Sequence, residues 1–420
     1  MSAPKISIIG GTVWGNRGAE AMLATTIGEV RKRCPSAEFG VFSYYPAHDR
    51  ALVNDPAIHI FDARPKTLAT RLFFLPLLQS LASLFHIRLP LPVNIAFLRE
   101  SQVLLDIGGI TFNDGRLIFL LYNIFSILPA LLMKVPVVKL SQAMGPFNNP
   151  INRILSRFFL GKCLHLFARG EETARFLNQL GLPRWQWEEA ADIAMLFQPQ
   201  YSLSDENPEK VSALLQTLQT AHQQGKQVIA FSPSILLMKK SESEYINNLL
   251  DLMQTMRQEN QQFLFFPNAS RESSAKTRNN DIAAIRRIRE AARLALPESL
   301  LERILWVDYD INNAAIRQIV NASDLLITSR FHAMISGLVT ATPTMVIGWS
   351  HKYHEVLSAF GMAEYGFALE SDPETITQAA LRLLQNLEVV RAHLQDALPA
   401  QQQSAAAQFD YLQEHFAWKN

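Results

Sequence analysis

Short apolar runs recur along this chain. Each ends in a cluster of glycine, proline or polar residues and leads into a helix-length segment, an alternation that few folds accommodate. Ile6–Ile9 runs into Gly10-Gly11-Thr12-Val13-Trp14-Gly15-Asn16-Arg17-Gly18-Ala19-Glu20. Val103–Asp106 runs into Ile107-Gly108-Gly109, Val135–Leu140 into Ser141-Gln142-Ala143-Met144-Gly145-Pro146, and Leu164–Ala168 into Arg169-Gly170. Continuous apolar runs suit strands covered on both faces. Strands alternating with helices make a parallel sheet, whose ligands sit outside the carboxyl ends of the strands. Every one of these clusters falls at such an end.

The rhythm stops in the polar stretch Gln198–Pro208 and then restarts. Val228–Ser232 ends in Pro233-Ser234, Phe263–Phe266 in Pro267-Asn268, and Leu325–Thr328 in Ser329-Arg330-Phe331-His332. The expected fold is α/β, with two Rossmann-like parallel-sheet domains facing across a cleft. The first spans 1–200 and the second 201–398. A last helix, 399–420, is of the kind that packs back on the first domain. Periodicity predicts helices at Ala21–Arg33, Leu117–Met133, Glu244–Asn260, Asp281–Leu294, Pro373–Leu398 and Gln401–Phe416. Tyr44–Leu98, which mixes Pro56, Pro65, Pro76, Pro90 and Pro92 with apolar pieces, reads as connections and irregular helices.

A length of 420 residues suits two domains. With 39 Lys and Arg against 38 Asp and Glu, the formal charge of +1 argues against a general nucleic-acid binder. Cys34 and Cys163 are too few and too far apart for a disulfide framework or a thiolate metal site, which suits a reducing, cytoplasmic compartment. The run after Lys5 is too short for a signal-peptide core. Leu72–Phe85 is interrupted by Pro76, and Leu117–Met133 carries Asn123 and Pro129, so both read as core helices rather than spans. Exposed Phe and Leu there would suit an interface, which leaves peripheral contact with the inner face of a membrane open.

The stretch Thr328–Gly361 carries the most chemistry. A buried strand delivers Arg330 and His332 to a helix N-terminus, where free N–H groups and the positive dipole end attract anions. Arg330 could grip a phosphate or carboxylate bidentately, and His332 could move a proton near neutral pH. Lys352 follows after the next strand. The alternative is an Arg paired with a local carboxylate and a His capping a turn. The loop Gly10–Gly18 allows close backbone approach to an anion, although its spacing is neither the dinucleotide fingerprint nor the P-loop. Gly108-Gly109 and Gln142 through Gly145 give further turns at the same edge. Arg169 mirrors Arg330 in the first half, with a local ion pair to Glu171 or Glu172 as its plainer reading. No metal-ligand grouping stands out.

These residues resemble the polysaccharide pyruvyl transferases, most of all the colanic-acid type. The resemblance rests on Gly15-Asn16-Arg17-Gly18, Gly108-Gly109, Gln142 through Gly145-Pro146, Arg169 with Thr173, Asp192, Arg330-Phe331-His332, Pro343, and Lys352 with Gly361, and covers about Ile6 to Met362. It implies a fold similar to GT-B glycosyltransferases. The implied donor is phosphoenolpyruvate, and the acceptor is a sugar diol of a polysaccharide or lipid-linked glycan. The product would be a pyruvate ketal, formed without metal or other cofactor. It also implies donor binding by Arg330, His332 and Arg169.

Four positions depart from the family pattern. Ala19 and Gly170 stand where an acid is frequent, Ile110 replaces a common third glycine, and a frequent His near Asn268 is missing.

The candidate catalytic residues are therefore His332, Arg330, Arg169 and Glu20, with His332 as proton donor and Glu20 as the alternative. The candidate substrate-binding residues are Lys352, Gly11, Gly15, Asn16, Gly18, Gly108, Gly109, Gln142, Gly145, Ser234 and Asn268. Two other readings compete. One is a GT-B nucleotide-sugar glycosyltransferase. The other is a non-catalytic glycan-binding homologue, motivated by Ala19 and Gly170. A homo-oligomer is compatible with the sequence.

Overall fold

The computed structural model describes residues 3–272, 279–348 and 351–418; the side chains of His351 and Lys352 lie outside that description. The chain forms two compact units. The N-terminal unit comprises Met1–Trp14, Ala19–Phe197 and Gln402–Asn420, and the C-terminal unit Gly15–Gly18 and Gln198–Gln401.

The N-terminal unit runs β1 (Lys5–Ile9), α1 (Arg17–Arg33), β2 (Glu38–Ser43), α2 (Pro46–Leu52), β3 (Ile58–Asp62), α3 (Pro65–Ala69), α4 (Arg71–Ser83), α5 (Val93–Glu100), β4 (Val103–Asp106), β5 (Ile110–Thr111), α6 (Leu120–Leu132), β6 (Val137–Met144), α7 (Pro150–Leu160), β7 (His165–Arg169), α8 (Glu171–Leu180) and β8 (Trp187–Ala190). Its sheet is parallel, in the order β3-β2-β1-β4-β6-β7-β8, with β5 beside β6. The order reverses between β1 and β4, so a crevice opens at their carboxyl ends. Gly10 and Gly108 meet there: a Cβ on Gly10 would lie 2.5 Å from the Gly108 nitrogen.

The C-terminal unit contains α9 (Pro208–Gln223), β9 (Gln227–Ser232), α10 (Ile235–Met238), α11 (Glu242–Met256), β10 (Gln261–Phe265), α12 (Asp281–Ala295), α13 (Glu298–Leu301), β11 (Ile304–Trp306), α14 (Asn313–Asn321), β12 (Leu325–Thr328), α15 (Phe331–Val339), β13 (Thr344–Ile347), α16 (His351–Ala359), β14 (Gly366–Phe367) and α17 (Pro373–Gln385). Its parallel sheet is ordered β11-β10-β9-β12-β13-β14 and reverses between β9 and β12. Val228, Ala230, Leu264 and Leu326 form its core together with Leu218 and Ile316.

Several sequence expectations need correction. Tyr44–Leu98 contains the strand β3, whose residues alternate only partly between core and solvent because it is the sheet edge. Helix α1 begins at Arg17, not Ala21. The helix expected over Leu117–Met133 is split, because Arg116 has non-helical angles (φ −138°, ψ 37°) within a 3₁₀ turn, Asp114–Phe119, that precedes α6. The break between the last helices falls at Asn386 rather than before Gln401. A single helix, α18 (Leu387–Phe416), runs through Pro399.

The end of α18 is tied to the N-terminal unit by polar bonds that outweigh the one lost at proline. Ser404 Oγ accepts from Ala191 N (3.0 Å), Gln408 Nε2 donates to Ala191 O (2.9 Å), and Arg33 pairs with Asp410 at 2.6 Å. Tyr411 stacks on His165 at 4.5 Å.

Lys139 and His165 are two buried titratable groups of this unit. Lys139, fully buried, pairs with Asp106, which is 2% exposed. Gln142 Nε2 donates to the other Asp106 oxygen at 2.7 Å. Lys139→Met strands the buried carboxylate and should cost about 3–5 kcal/mol in urea unfolding. His165 is buried between Tyr411 and Phe167, with Glu188 at 3.7 Å. Burial, helped by His415 and Arg184, pushes its pKa down to about 4. The folded protein keeps this ring neutral while the unfolded chain takes up a proton below about 6.5. Stability should therefore fall as the pH drops from about 6.5 toward 4. His165→Phe should flatten that part of a stability–pH curve.

Candidate active site

The reversal point of the C-terminal sheet places Arg330 immediately after β12, as the capping residue of α15. Its backbone N–H is fixed by Thr328 Oγ1 at 2.9 Å. The guanidinium donates through Nη2 to Asp281 and through Nη1 to Asn279 Oδ1 at 3.0 Å. Asp281 is fully buried, and its carboxylate also accepts the backbone N–H groups of Ile235 (3.0 Å) and Ala269 (2.8 Å). One carboxylate thus holds the arginine, the start of α10 and the segment after β10 in a single arrangement. The carboxylate that pairs with Arg330 is therefore not a local one, as the plainer reading had it, but Asp281, which lies 49 residues away in sequence and orients the guanidinium.

Two tyrosines, Tyr245 buried and Tyr353 partly so, brace the same edge. Tyr245 Oη accepts from Ser234 N at 3.0 Å and donates to Ser329 Oγ at 2.8 Å. Tyr353 Oη donates to Ser329 O at 3.3 Å. Burial pushes both phenols up to about 12, so they remain neutral donors. Around them, Ser232 Oγ, Asn268 Oδ1 and Arg330 Nε are buried without a hydrogen-bond partner among the described residues. These atoms follow the neighbouring strands β9, β10 and β12. Each unmet group costs about 1–3 kcal/mol, which a polar ligand could recover.

His332 lies in the first turn of α15, two residues beyond Arg330, and Gly18 packs against its ring. A Cβ on Gly18 would sit 2.0 Å from His332 Nδ1, so no other residue fits without displacing the imidazole. A Cβ on Gly15 (φ +74°) would likewise clash with Arg271, at 2.4 Å from Nε. Between these glycines, Arg17 is 1% exposed, paired with Glu206 at 2.9 Å and with Ser270 Oγ at 3.3 Å. Asn16 is half-buried in the same loop. Arg17, Arg271 and Arg330 are opposed by Glu206 and Asp281. The positive end of α15 beside Arg330 favours an anion.

Sequence reasoning treated Arg17 as a letter of the glycine loop and passed over Arg271 and Asp281. The signal for Arg17 was its place between two glycines that permit close approach. Arg271 and Asp281 sat at the ends of a polar loop with no periodicity to mark them. Lys352 falls in the first turn of α16; its side chain lies outside the described residues.

The N-terminal unit gathers the remaining candidates at its own reversal point and along the strands beyond it. Arg169 ends β7 and donates to Asp192 Oδ2 (2.7 Å) and Gly109 O (2.9 Å). It forms an ion pair with Asp192, and Glu172 faces Arg175 at 3.3 Å. Gly108 N donates to Asp106 Oδ1 at 3.0 Å, and Gln142 Oε1 accepts from Thr111 Oγ1 at 2.7 Å. Gly11 is packed by Ile107 and Leu23, and Gly145 by Phe176. Glu20 is fully buried. Gly11, Gln142 and Gly145 thus have packing or hydrogen-bonding roles that shape this edge. Among the described residues, no three His, Cys, Asp or Glu side chains gather so as to hold a metal ion.

The fold has solved counterparts. A structure of a candidate UDP-N-acetylglucosamine 2-epimerase from Listeria monocytogenes matches with a TM-score of 0.62 at 13% identity, covering 100% of this chain and 98% of that one. The UDP-GlcNAc 2-epimerase of Neisseria meningitidis, bound to UDP-GlcNAc, matches at 0.57 and 13%, covering 98% and 100%. Anabaena Alr3699/HepE, in complex with UDP and glucose, matches at 0.56 and 12%, covering 99% of each chain. At such identities the likeness speaks for the fold alone, which is the two-domain GT-B kind. The sequence is more specific. Residues 16–351, from the Asn16-Arg17-Gly18 loop through Arg330-Phe331-His332, match the family model for polysaccharide pyruvyl transferase. The chain belongs to the polysaccharide pyruvyl transferase family.

Proposed function

We propose that this protein transfers the pyruvyl group of phosphoenolpyruvate to two hydroxyls of one sugar in a polysaccharide or lipid-linked glycan, forming a cyclic ketal. One observation carries the reading. Arg330, oriented by Asp281 at the N-terminus of α15, stands two residues from His332, whose ring is seated against Gly18. An arginine able to grip an anion, next to a group able to carry a proton, supports this reading.

Phosphoenolpyruvate needs both. Its phosphate and carboxylate call for cationic donors, which Arg330 and the α15 N-terminus supply, with Arg17, Arg271 and Lys352 as further candidates. His332 gives a proton to the methylene carbon, leaving cationic character at the central carbon, and one acceptor hydroxyl bonds there. The phosphate then departs with the electron pair of its C–O bond. A second hydroxyl takes its place and closes the ketal. The proton count balances when the two hydroxyl protons return to the base and to phosphate. Glu20 is the alternative acid, and Arg169 the further cationic candidate; both are to be replaced in the same assay.

The assay is inorganic phosphate release from phosphoenolpyruvate in the presence of acceptor. Arg330→Gln and His332→Ala should each abolish it while circular dichroism stays native. Full turnover by either variant overturns that residue's assignment. Gly18→Ala should lower the rate by about tenfold or more, about 1.4 kcal/mol in barrier, because the added methyl displaces His332. In thermal-shift measurements, phosphoenolpyruvate should raise the melting temperature of the wild type but not of Arg330→Gln. Stabilisation by UDP-sugars instead would favour a nucleotide-sugar transferase on this fold.

A further inference from the structure

Helix α7 packs Leu155, Phe159 and Leu160 on the core yet carries a second apolar row on its outer side. It buries Asn152 and Ser156 and exposes Ile151, Ile154 and Phe158, which recur at helical spacing on its outer side. The buried pair is satisfied locally: Asn152 Nδ2 donates to Asp114 Oδ1 at 2.8 Å, and Ser156 Oγ to Asn152 Oδ1 at 2.9 Å. A helix facing only water would show the opposite pattern. Helix α4 exposes Phe74, Leu78 and Leu81, and Phe85 continues the row just beyond its end. Both helices pack against α6. At the entrance of α6, Ile118 is 87% and Leu121 63% exposed. Two apolar hollows open beside α6, one of about 490 Å³ against α3 and one of about 500 Å³ against α7.

The charge pattern names the occupant. Residues 63–99 hold five basic side chains (Arg64, Lys66, Arg71, Arg88, Arg99) and no Asp or Glu. Residues 115–170 hold seven (Arg116, Lys134, Lys139, Arg153, Arg157, Lys162, Arg169), again without an acid. Of these, Lys139 and Arg169 are buried in ion pairs, and Arg64 and Arg99 pair at the surface with Asp62 and Glu100, which bound the first stretch. In a chain with 39 basic and 38 acidic residues, these two acid-free stretches cover the elements carrying the apolar rows. Exposed Phe, Leu and Ile surrounded by Lys and Arg match the boundary of an anionic bilayer.

We propose that the face formed by α4, the Asp114–Phe119 turn with α6, and α7 docks the N-terminal unit onto a membrane containing anionic phospholipid. The docking is peripheral. Asp114–Leu132 is long and apolar enough to cross a membrane, but α6 contributes Leu120, Ile124 and Ile127 to the protein core, so insertion would dismantle that core. The proposal stands apart from the donor chemistry and survives if phosphoenolpyruvate is not the donor.

Sedimentation of the full chain with phosphatidylcholine vesicles, with and without phosphatidylglycerol, tests it. Binding should require phosphatidylglycerol and weaken with salt. Ile118→Ser/Leu121→Ser/Ile154→Ser and Lys66→Glu/Arg88→Glu/Lys162→Glu should each lower the affinity by about tenfold or more with native circular dichroism, roughly 1.4 kcal/mol. Leu294→Ser, at an exposed leucine of α12 in the C-terminal unit, should bind as wild type. Equal binding to both vesicle types, or undiminished binding by the apolar triple variant, overturns the proposal. So does self-association that the apolar triple variant abolishes in a protein that ignores vesicles, which would make a second copy the occupant.

Discussion

The carboxylate of Asp281 is the constraint on which the C-terminal site depends. A buried carboxylate is tolerable only when charge and hydrogen bonds surround it. Here Arg330 supplies the charge, and the N–H groups of Ile235 and Ala269 supply the rest. The same contacts that make Asp281 acceptable in the interior remove the rotational freedom of Arg330. An arginine already held in place loses less entropy when it meets an anion, so orientation is settled during folding rather than at binding. The tyrosines behind it extend this logic: Tyr245 and Tyr353 both spend their hydroxyls on Ser329, one residue before the arginine.

The N-terminal unit solves a parallel problem with different parts. Arg169 ends a strand as Arg330 does, and Asp192 holds it as Asp281 holds Arg330. Gly109 contributes a backbone carbonyl to the same guanidinium. The glycine at 170, a departure from the family pattern, has a backbone explanation. Its φ of +82° with ψ of 165° lies in a region that residues with a Cβ avoid, so an acidic side chain there would be strained.

Much of the fold was legible in the sequence because parallel strands buried on both faces announce themselves as continuous apolar runs. Val103–Asp106 and Leu325–Thr328 fall where that rule puts them. The strand β3 escaped because an edge strand needs only half its residues in the core, and His59 breaks the run. The helix through Pro399 escaped because proline signals a local cost, whereas the contacts of Ser404, Gln408 and Asp410 that offset it are distant in sequence. At the site, Arg330 and His332 stood out because they follow a strong strand. Arg271 and Asp281 did not, since only the assembled sheet shows that the polar loop returns to the arginine.

The four residues Gly15–Gly18 have a consequence for how such enzymes diversify. They belong to the C-terminal unit although they are encoded between the first strand and the body of the first helix. Gly15 is moulded to Arg271 and Gly18 to His332. A gene fusion joined near residue 200 would therefore unite the C-terminal half of one parent with a loop fitted to the other. The natural unit of inheritance for this pocket is discontinuous, and shuffling between relatives succeeds only when those few codons travel with the distant half they serve.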